Sequence, residues 1–172
     1  KLNIRALLIG LLVIFVGVVF LLTLNGNPGN PTPIDIENNL RIRGEPFELS
    51  PERGRYAQTQ SLAEDHSFFL RRDIAKYVTP DLGYVDGKFI PLFSPGISIL
   101  AFPLYVIGAK FQMAQVATFS LPAIFAILNF LLIIKISRKF NINLRAALIA
   151  GLAFLFATPA FAYGVNLYQH HV

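Results

Sequence analysis

The stretch Ile97–Ala109, ISILAFPLYVIGA, decides how this chain is arranged. It is apolar, but thirteen residues interrupted by Pro103 are too few to cross ~30 Å of hydrocarbon as a helix. If it crossed, the next apolar segment would end outside and break the positive-inside rule by leaving four cations there: Lys135, Arg138, Lys139 and Arg145. The stretch therefore predicts an interfacial or re-entrant helix over about 95–110.

Three longer apolar segments flank this stretch. Ala6–Leu24, preceded by Lys1 and Arg5, predicts a first transmembrane helix (1–24) that starts in the cytoplasm. A cleaved signal peptide is the alternative, but its apolar core is usually only ~7–15 residues long. Residues 115–135 and 146–165 predict a second and a third transmembrane helix, joined by a basic cytoplasmic loop over 136–145. We therefore expect an all-α, multi-pass protein of the cell inner (plasma) membrane with a cytoplasmic amino terminus.

Residues 25–114 are predicted to form a large extracytoplasmic loop. The Asn, Gly and Pro residues of Asn25–Pro33 cannot continue a helix and mark the exit from the membrane, followed by polar loop. Ser50-Pro51-Glu52 is typical of a helix start with Ser as N-cap, so a juxtamembrane helix is predicted over about 50–65. Asp86-Gly87, between short aromatic and β-branched runs, predicts a short β-hairpin over about 82–92.

Composition and charge exclude several classes of protein. The chain is 54% apolar with 16 Phe, more than an ordinary water-soluble chain carries. Its net charge is +5, yet all ten acids lie between Asp35 and Asp86, which argues against the basic stripe of a nucleic-acid-binding protein. Cysteine is absent, so disulfides and thiolate metal sites are excluded. Both ends look cut, which predicts a fragment of a longer polypeptide.

One carboxylate and two arginines stand at the predicted helix start, in the order Glu52, Arg53, Arg55, followed by Tyr56. A carboxylate just outside a membrane helix can act as a general base, and guanidinium groups can hold a phosphate by charge-assisted hydrogen bonds. The alternative is structural. Glu52 would then only face the helix dipole, and the arginines would form a solvated face.

Two histidine positions are further candidates for the site. His170 and His171 lie in 166–172, predicted to return to the outer face, where an ionisable group needs a partner or water; a plain interfacial role is the alternative. Glu64-Asp65-His66 could suggest a metal cluster, but adjacent helical side chains point in different directions. No metal ligand is therefore predicted.

Several short motifs occur in a characteristic order along the chain. Glu52 stands four positions before Tyr56 of an Arg55-Tyr56 pair, and these are followed by Tyr84-Val85-Asp86-Gly87, Ser94-Pro95-Gly96, Ser137-Arg138-Lys139-Phe140 and Ala157-Thr158-Pro159. In this order they resemble the amino-terminal part of the GT-C superfamily of membrane glycosyltransferases, of the protein mannosyltransferase and aminoarabinose transferase type. Two departures stand out. Many relatives have Asp followed by Glu at the Glu52-Arg53 position, and Lys where Phe93 stands.

The resemblance implies transfer of a sugar from a polyprenyl-phosphate donor to an acceptor at the outer membrane face. Glu52 would be the catalytic base, and the substrate-binding residues would be Arg53, Arg55, Tyr56, Lys88, His170 and His171. The resemblance fixes no cofactor and leaves a divalent cation as an open alternative. The expected partners are the lipid bilayer, the sugar donor and further membrane subunits, with no nucleic acid.

Two other functions are also compatible with the sequence. The chain is alternatively a non-catalytic accessory transmembrane subunit of a larger membrane complex, in which Glu52 is only a helix-start acid. A transporter is the third possibility, and it would require polar groups inside the spans. Asn129 is the only strongly polar side chain there, which argues against transport.

Overall fold

The structure is a computed structural model that describes residues 4–43, 46, 47 and 49–168. The chain is mostly helical, at 68%. The described helices are α1 (Ile4–Thr23), α2 (Pro33–Arg43), α3 (Ser50–Glu64), α4 (Arg72–Val78), α5 (Gly96–Lys110), α6 (Ala114–Lys139), α7 (Leu144–Phe156) and α8 (Ala160–Gly164). Strands β1 (Leu82–Val85) and β2 (Lys88–Pro91) form one antiparallel hairpin.

Four apolar helices, α1, α6, α7 and α8, pack together into one bundle. Of the described residues, α6 alone forms a helix that is both long and apolar enough to cross a membrane. Within the bundle, two glycines allow one helix to approach an aromatic ring of another. A Cβ at Gly151 would lie 2.7 Å from Cδ2 of Phe130, and one at Gly164 would lie 2.6 Å from Cε1 of Phe20. A larger residue at either glycine would therefore require the facing ring or the helix to shift.

The segment 146–165, predicted as one transmembrane helix, is interrupted. α7 ends at Phe156, residues 157–159 are unwound, and α8 begins at Ala160. Pro159 has no N–H and cannot continue the helical hydrogen-bond ladder, while the Thr158 hydroxyl donates to the Phe154 carbonyl at 2.6 Å. The predicted helical class is thus confirmed, whereas the number of membrane spans stays a prediction.

A second group of elements, the loop layer, contains α2 to α5 and the hairpin and packs around the first half of α6. Tyr56 of α3 and Phe119 of α6 are both fully buried at its centre, with ring centroids 6.4 Å apart. The Ser98 hydroxyl donates to the Arg55 carbonyl at 3.0 Å and fastens α5 to α3. The loop layer and the bundle therefore share α6 as a common helix.

Three predicted elements of the loop layer agree with the structure. The hairpin falls within 82–92 with Asp86 and Gly87 between its strands, α3 matches 50–65, and α5 matches 95–110. α5 also leaves Ile99, Phe102 and Ile107 exposed, as an interfacial helix would, although its position relative to a membrane stays a prediction. α6 continues to Lys139, so part of the loop predicted over 136–145 is helical.

The prediction of an irregular polar loop before residue 50 was wrong, because α2 lies there. Thr32 and Asp35 form a capping box: the Thr32 N–H donates to Asp35 Oδ2 at 2.9 Å, and the Asp35 N–H donates to Thr32 Oγ1 at 3.3 Å. The hydrogen bonds from Thr32 hold the pKa of Asp35 below its ordinary value. The cap of α3 also differs from the prediction, since Leu49 and not Ser50 holds the N-cap position.

Candidate functional site

Glu52, the predicted catalytic base, lies in the first turn of α3 and is completely buried. Its Oε2 accepts a hydrogen bond from the backbone N–H of Leu49 at 3.0 Å, which caps the helix start. Its Oε1 accepts one from the backbone N–H of Leu167, also at 3.0 Å. The carboxylate therefore fastens the segment after α8 to the start of α3.

Arg55 lies one turn further along α3, on the same face as Glu52 because positions three apart are neighbours. Its Nη1 donates to the Leu167 carbonyl at 3.3 Å. Burial lowers the pKa of the Arg55 guanidinium, and the negative charge of Glu52 opposes that shift. The backbone of Leu167 is thus held on both sides, its N–H by Glu52 and its carbonyl by Arg55. We call this arrangement of Glu52, Arg55 and Leu167 the peptide clamp.

Phe93 contacts the clamp directly. The Arg55 guanidinium carbon lies 5.8 Å from the centroid of the Phe93 ring, a cation–π distance. Gly54 makes this approach possible, because a Cβ there would lie 2.5 Å from Cδ2 of Phe93. Phe93 therefore packs against α3 at Gly54 and covers the Arg55 guanidinium.

Tyr56 packs in the centre of the loop layer. Its ring centroid lies 5.7 Å from that of Phe47 and 6.0 Å from that of Tyr105. Burial raises the pKa of Tyr56, and the negative charge of Glu64 adds to this increase. In this arrangement Tyr56 could contact a substrate only if the aromatic cluster opened.

The remaining predicted site residues are distributed differently. Arg53 is half-buried on α3, beside Glu52 in the chain. Lys88 is exposed at the start of β2, with its Nζ 4.7 Å from the centroid of the Phe69 ring. His170 and His171 lie outside the described residues. The structure therefore brings Glu52 and Arg55 together and places Lys88 against Phe69.

A polar network at the far end of α3 was missed by the sequence analysis. Glu64 Oε1 accepts hydrogen bonds from the Tyr105 hydroxyl at 2.5 Å and from Gln60 Nε2 at 3.1 Å. The Tyr77 hydroxyl donates to Gln60 Oε1 at 2.9 Å, and burial raises the pKa of Tyr77. This glutamate network joins α3, α4 and α5. Only the Gln60–Glu64 spacing of four residues was visible in the sequence.

The two acids of the Glu64-Asp65-His66 segment form ion pairs with Arg71. Arg71 forms ion pairs with Glu64 at 3.2 Å and with Asp65 at 2.8 Å. Within the described part of the chain, no three His, Cys, Asp or Glu side chains gather where they could hold a metal ion. Glu64 and Asp65 are better described as partners of Arg71.

Tyr105→Phe is expected to lower the free energy of unfolding by about 1.5–3 kcal/mol, the usual cost of losing a hydrogen bond to a charged group. The phenyl ring keeps the packing against Tyr56, so the loss reports the hydrogen bonds of the Tyr105 hydroxyl, which include the one to Glu64. Denaturant unfolding followed by circular dichroism measures it. Tyr84→Phe, at an exposed position of β1, is the matched control and should change stability by less than about 0.5 kcal/mol. Equal effects for the two variants would contradict the network.

No protein-family model, curated protein or solved structure matches this chain. Its function must therefore be inferred from the residues themselves. The feature that could support a chemical reaction is the peptide clamp. It places a buried carboxylate and a buried guanidinium one helix turn apart, next to the ends of the apolar helices.

Proposed function

We propose that this chain is the amino-terminal part of a polytopic membrane glycosyltransferase that uses a polyprenyl-phosphate-linked sugar donor at the outer membrane face. The observation that carries the proposal is the pairing of Glu52 and Arg55 on one buried face of α3. A base and a cation one helical turn apart are the two groups that this reaction needs. Together with the motif order, they favour a GT-C-type transferase.

The proposed membrane arrangement has three spans, α1, α6 and the interrupted α7–α8, with a cytoplasmic amino terminus. It is supported by the contact between the ends of α1 and α8, where the Asn25 N–H donates to the Val165 carbonyl at 3.1 Å. Leu167 of the peptide clamp lies two residues after Val165. The basic turn between α6 and α7, where Arg138 donates to the Ile142 carbonyl at 2.6 Å, would then face the cytoplasm.

In the proposed reaction, an acceptor hydroxyl attacks the anomeric carbon of the donor sugar and loses its proton to Glu52. The bond between that carbon and the phosphate oxygen breaks, and polyprenyl phosphate leaves. Arg55, with Arg53 two residues before it, would stabilise the negative charge on the departing phosphate. Because Leu167 covers Glu52, the acceptor reaches the carboxylate only when the Leu167 segment moves away from α3.

A specific observation favours the second candidate, a non-catalytic accessory subunit. Both carboxylate oxygens of Glu52 accept hydrogen bonds from backbone N–H groups, a geometry that needs no substrate to explain it. In that case Glu52 only fixes the segment after α8, and the apolar helices pack against partner subunits.

The two functions are separated by a transfer assay on membranes that contain the full-length polypeptide. A radiolabelled polyprenyl-phosphate hexose is supplied, and the release of polyprenyl phosphate is measured. The transferase proposal expects release above the rate of membranes that lack the protein. Glu37→Gln, which removes an ion pair with Arg41 on α2, serves as a control that should keep the full rate. Release no faster than background for every hexose donor would favour the accessory subunit.

A further inference from the structure

A groove of about 390 Å³ lies between residues 27–31, here called the strap, and one face of α2. We call it the amide groove. Its polar lining consists of Asn27, Asn30, Asp35, Asn38 and Asn39. Four of these five side chains are amides, and neither Lys nor Arg is among the lining residues that the structure describes. The groove does not include any residue of the peptide clamp.

The strap forms a fixed wall, because it is bonded to the turn between α5 and α6. The Gly29 N–H donates to the Gln112 carbonyl at 2.7 Å. The Asn30 side chain donates to the Ala109 carbonyl at 2.9 Å. These bonds use the Asn30 amide to hold the backbone and leave the strap little freedom to collapse into the groove.

The opposite wall is the face of α2 that carries Asp35, Asn38 and Asn39, at spacings of three and four residues. Ile36 is fully buried and anchors the helix in the loop layer. The capping box with Thr32 fixes the start of the helix and occupies Oδ2 of Asp35. Asn38 and Asn39 thus both line the groove from a helix whose start is fixed.

Three amide side chains of the groove are available to bind a ligand. Among the described residues, the side chains of Asn27, Asn38 and Asn39 have no hydrogen-bond partner. Each presents two donors and one acceptor oxygen. We propose that the amide groove binds a neutral saccharide, because each sugar hydroxyl is both a donor and an acceptor and these three amides offer both kinds of group from the two walls of the groove. The inference concerns binding alone and goes beyond the proposed transfer reaction.

The lining argues against other classes of ligand. A phosphate would meet the Asp35 carboxylate with no lining cation to compensate. Calcium usually takes about 6–8 oxygen ligands with several carboxylates, whereas Asp35 is the only carboxylate in the lining. The volume of about 390 Å³ lies within the ~300–1,000 Å³ of small-molecule pockets, which accommodates a mono- or disaccharide.

The inference is tested with the chain in lipid nanodiscs, since the head groups of maltoside and glucoside detergents would compete for the groove. Saturation-transfer difference NMR is recorded with mannose, glucose, N-acetylglucosamine and mannobiose as probes. We expect saturation transfer to at least one of them. Asn38→Leu with Asn39→Leu should weaken that binding by about tenfold or more, because two amide contacts are lost. Asn27→Ala, on the opposite wall, should weaken it independently.

The matched control is Glu37→Gln, which changes α2 between Asp35 and Asn38 and should leave saccharide binding unchanged. Circular dichroism establishes that each variant keeps its helix content. Three results would overturn the inference. They are no saturation transfer to any of the four saccharides, equal binding by the Asn variants and the unchanged chain, or binding of inorganic phosphate or Ca²⁺ where the saccharides give none.

Discussion

Glu52→Gln is expected to lower sugar transfer by about 10²–10⁴-fold, the usual contribution of a general base. Glutamine keeps the size of the side chain but cannot take the proton from the acceptor hydroxyl. The measurement is the initial rate of polyprenyl phosphate release by membranes containing the full-length polypeptide, divided by the amount of inserted protein.

The same substitution also loosens the peptide clamp. Both oxygens of Glu52 accept backbone N–H groups, whereas glutamine offers one oxygen and one NH₂ group. One of the two N–H groups, of Leu49 or Leu167, must then face a donor. We expect a loss of about 1–3 kcal/mol in the free energy of unfolding, the cost of a buried unsatisfied group.

Glu64→Gln separates the chemical effect from the structural one. It changes a second glutamate of α3, in the glutamate network at the opposite end of the helix. We expect it to lower stability while transfer continues at most of the unchanged rate. If Glu52→Gln and Glu64→Gln reduced transfer equally, and in proportion to the folded fraction, Glu52 would be a structural residue and the accessory subunit would be favoured.

Gly108→Ala is expected to destabilise the protein by about 1–3 kcal/mol, the range seen when a packed core is overfilled. The added Cβ would lie 2.4 Å from Cβ of Ala117 and 2.7 Å from the Met113 carbonyl oxygen. Neither neighbour is the far end of a flexible side chain, so α5 and α6 must separate. The clash outweighs the ~1 kcal/mol that alanine usually gains over glycine in a helix.

Gly96→Ala makes the same change at the start of the same helix, where a Cβ would meet nothing within 4 Å. We expect this variant to be as stable as the unchanged chain or slightly more stable. Both are compared by denaturant unfolding in one detergent, followed by circular dichroism because the chain contains no Trp. Equal stability of the two variants would show that α5 and α6 pack less closely than described.

The elements predicted correctly are those with local signals. Asp86 and Gly87 occupy a hairpin turn with positive φ angles of 50° and 79°, which their residue types tolerate. α2 was missed although Thr32-Pro33 followed by Asp35 is similar to Ser50-Pro51-Glu52, with the acid one position later. The surrounding Asn, Gly and Pro residues indicated a loop instead. The interruption at 157–159 was also missed, since apolar composition outweighed the signal of Pro159.

Only part of the candidate site could be predicted from the sequence. The spacing of Glu52 and Arg55 already places them on one helix face. Their common partner, Leu167, lies more than a hundred residues away, and it contributes only backbone atoms, so no side-chain pattern marks it. The Tyr105 contact of Glu64 likewise depends on how α5 packs against α3.

The short helix α8 lies between the unwound residues 157–159 and the backbone that contacts the buried carboxylate of Glu52. The backbone that covers Glu52 begins three residues after α8, and α8 is braced where Gly164 lies against Phe20 of α1. Any tilt of α8 relative to α1 would consequently be transmitted to Leu167 and would alter how much water can reach Glu52.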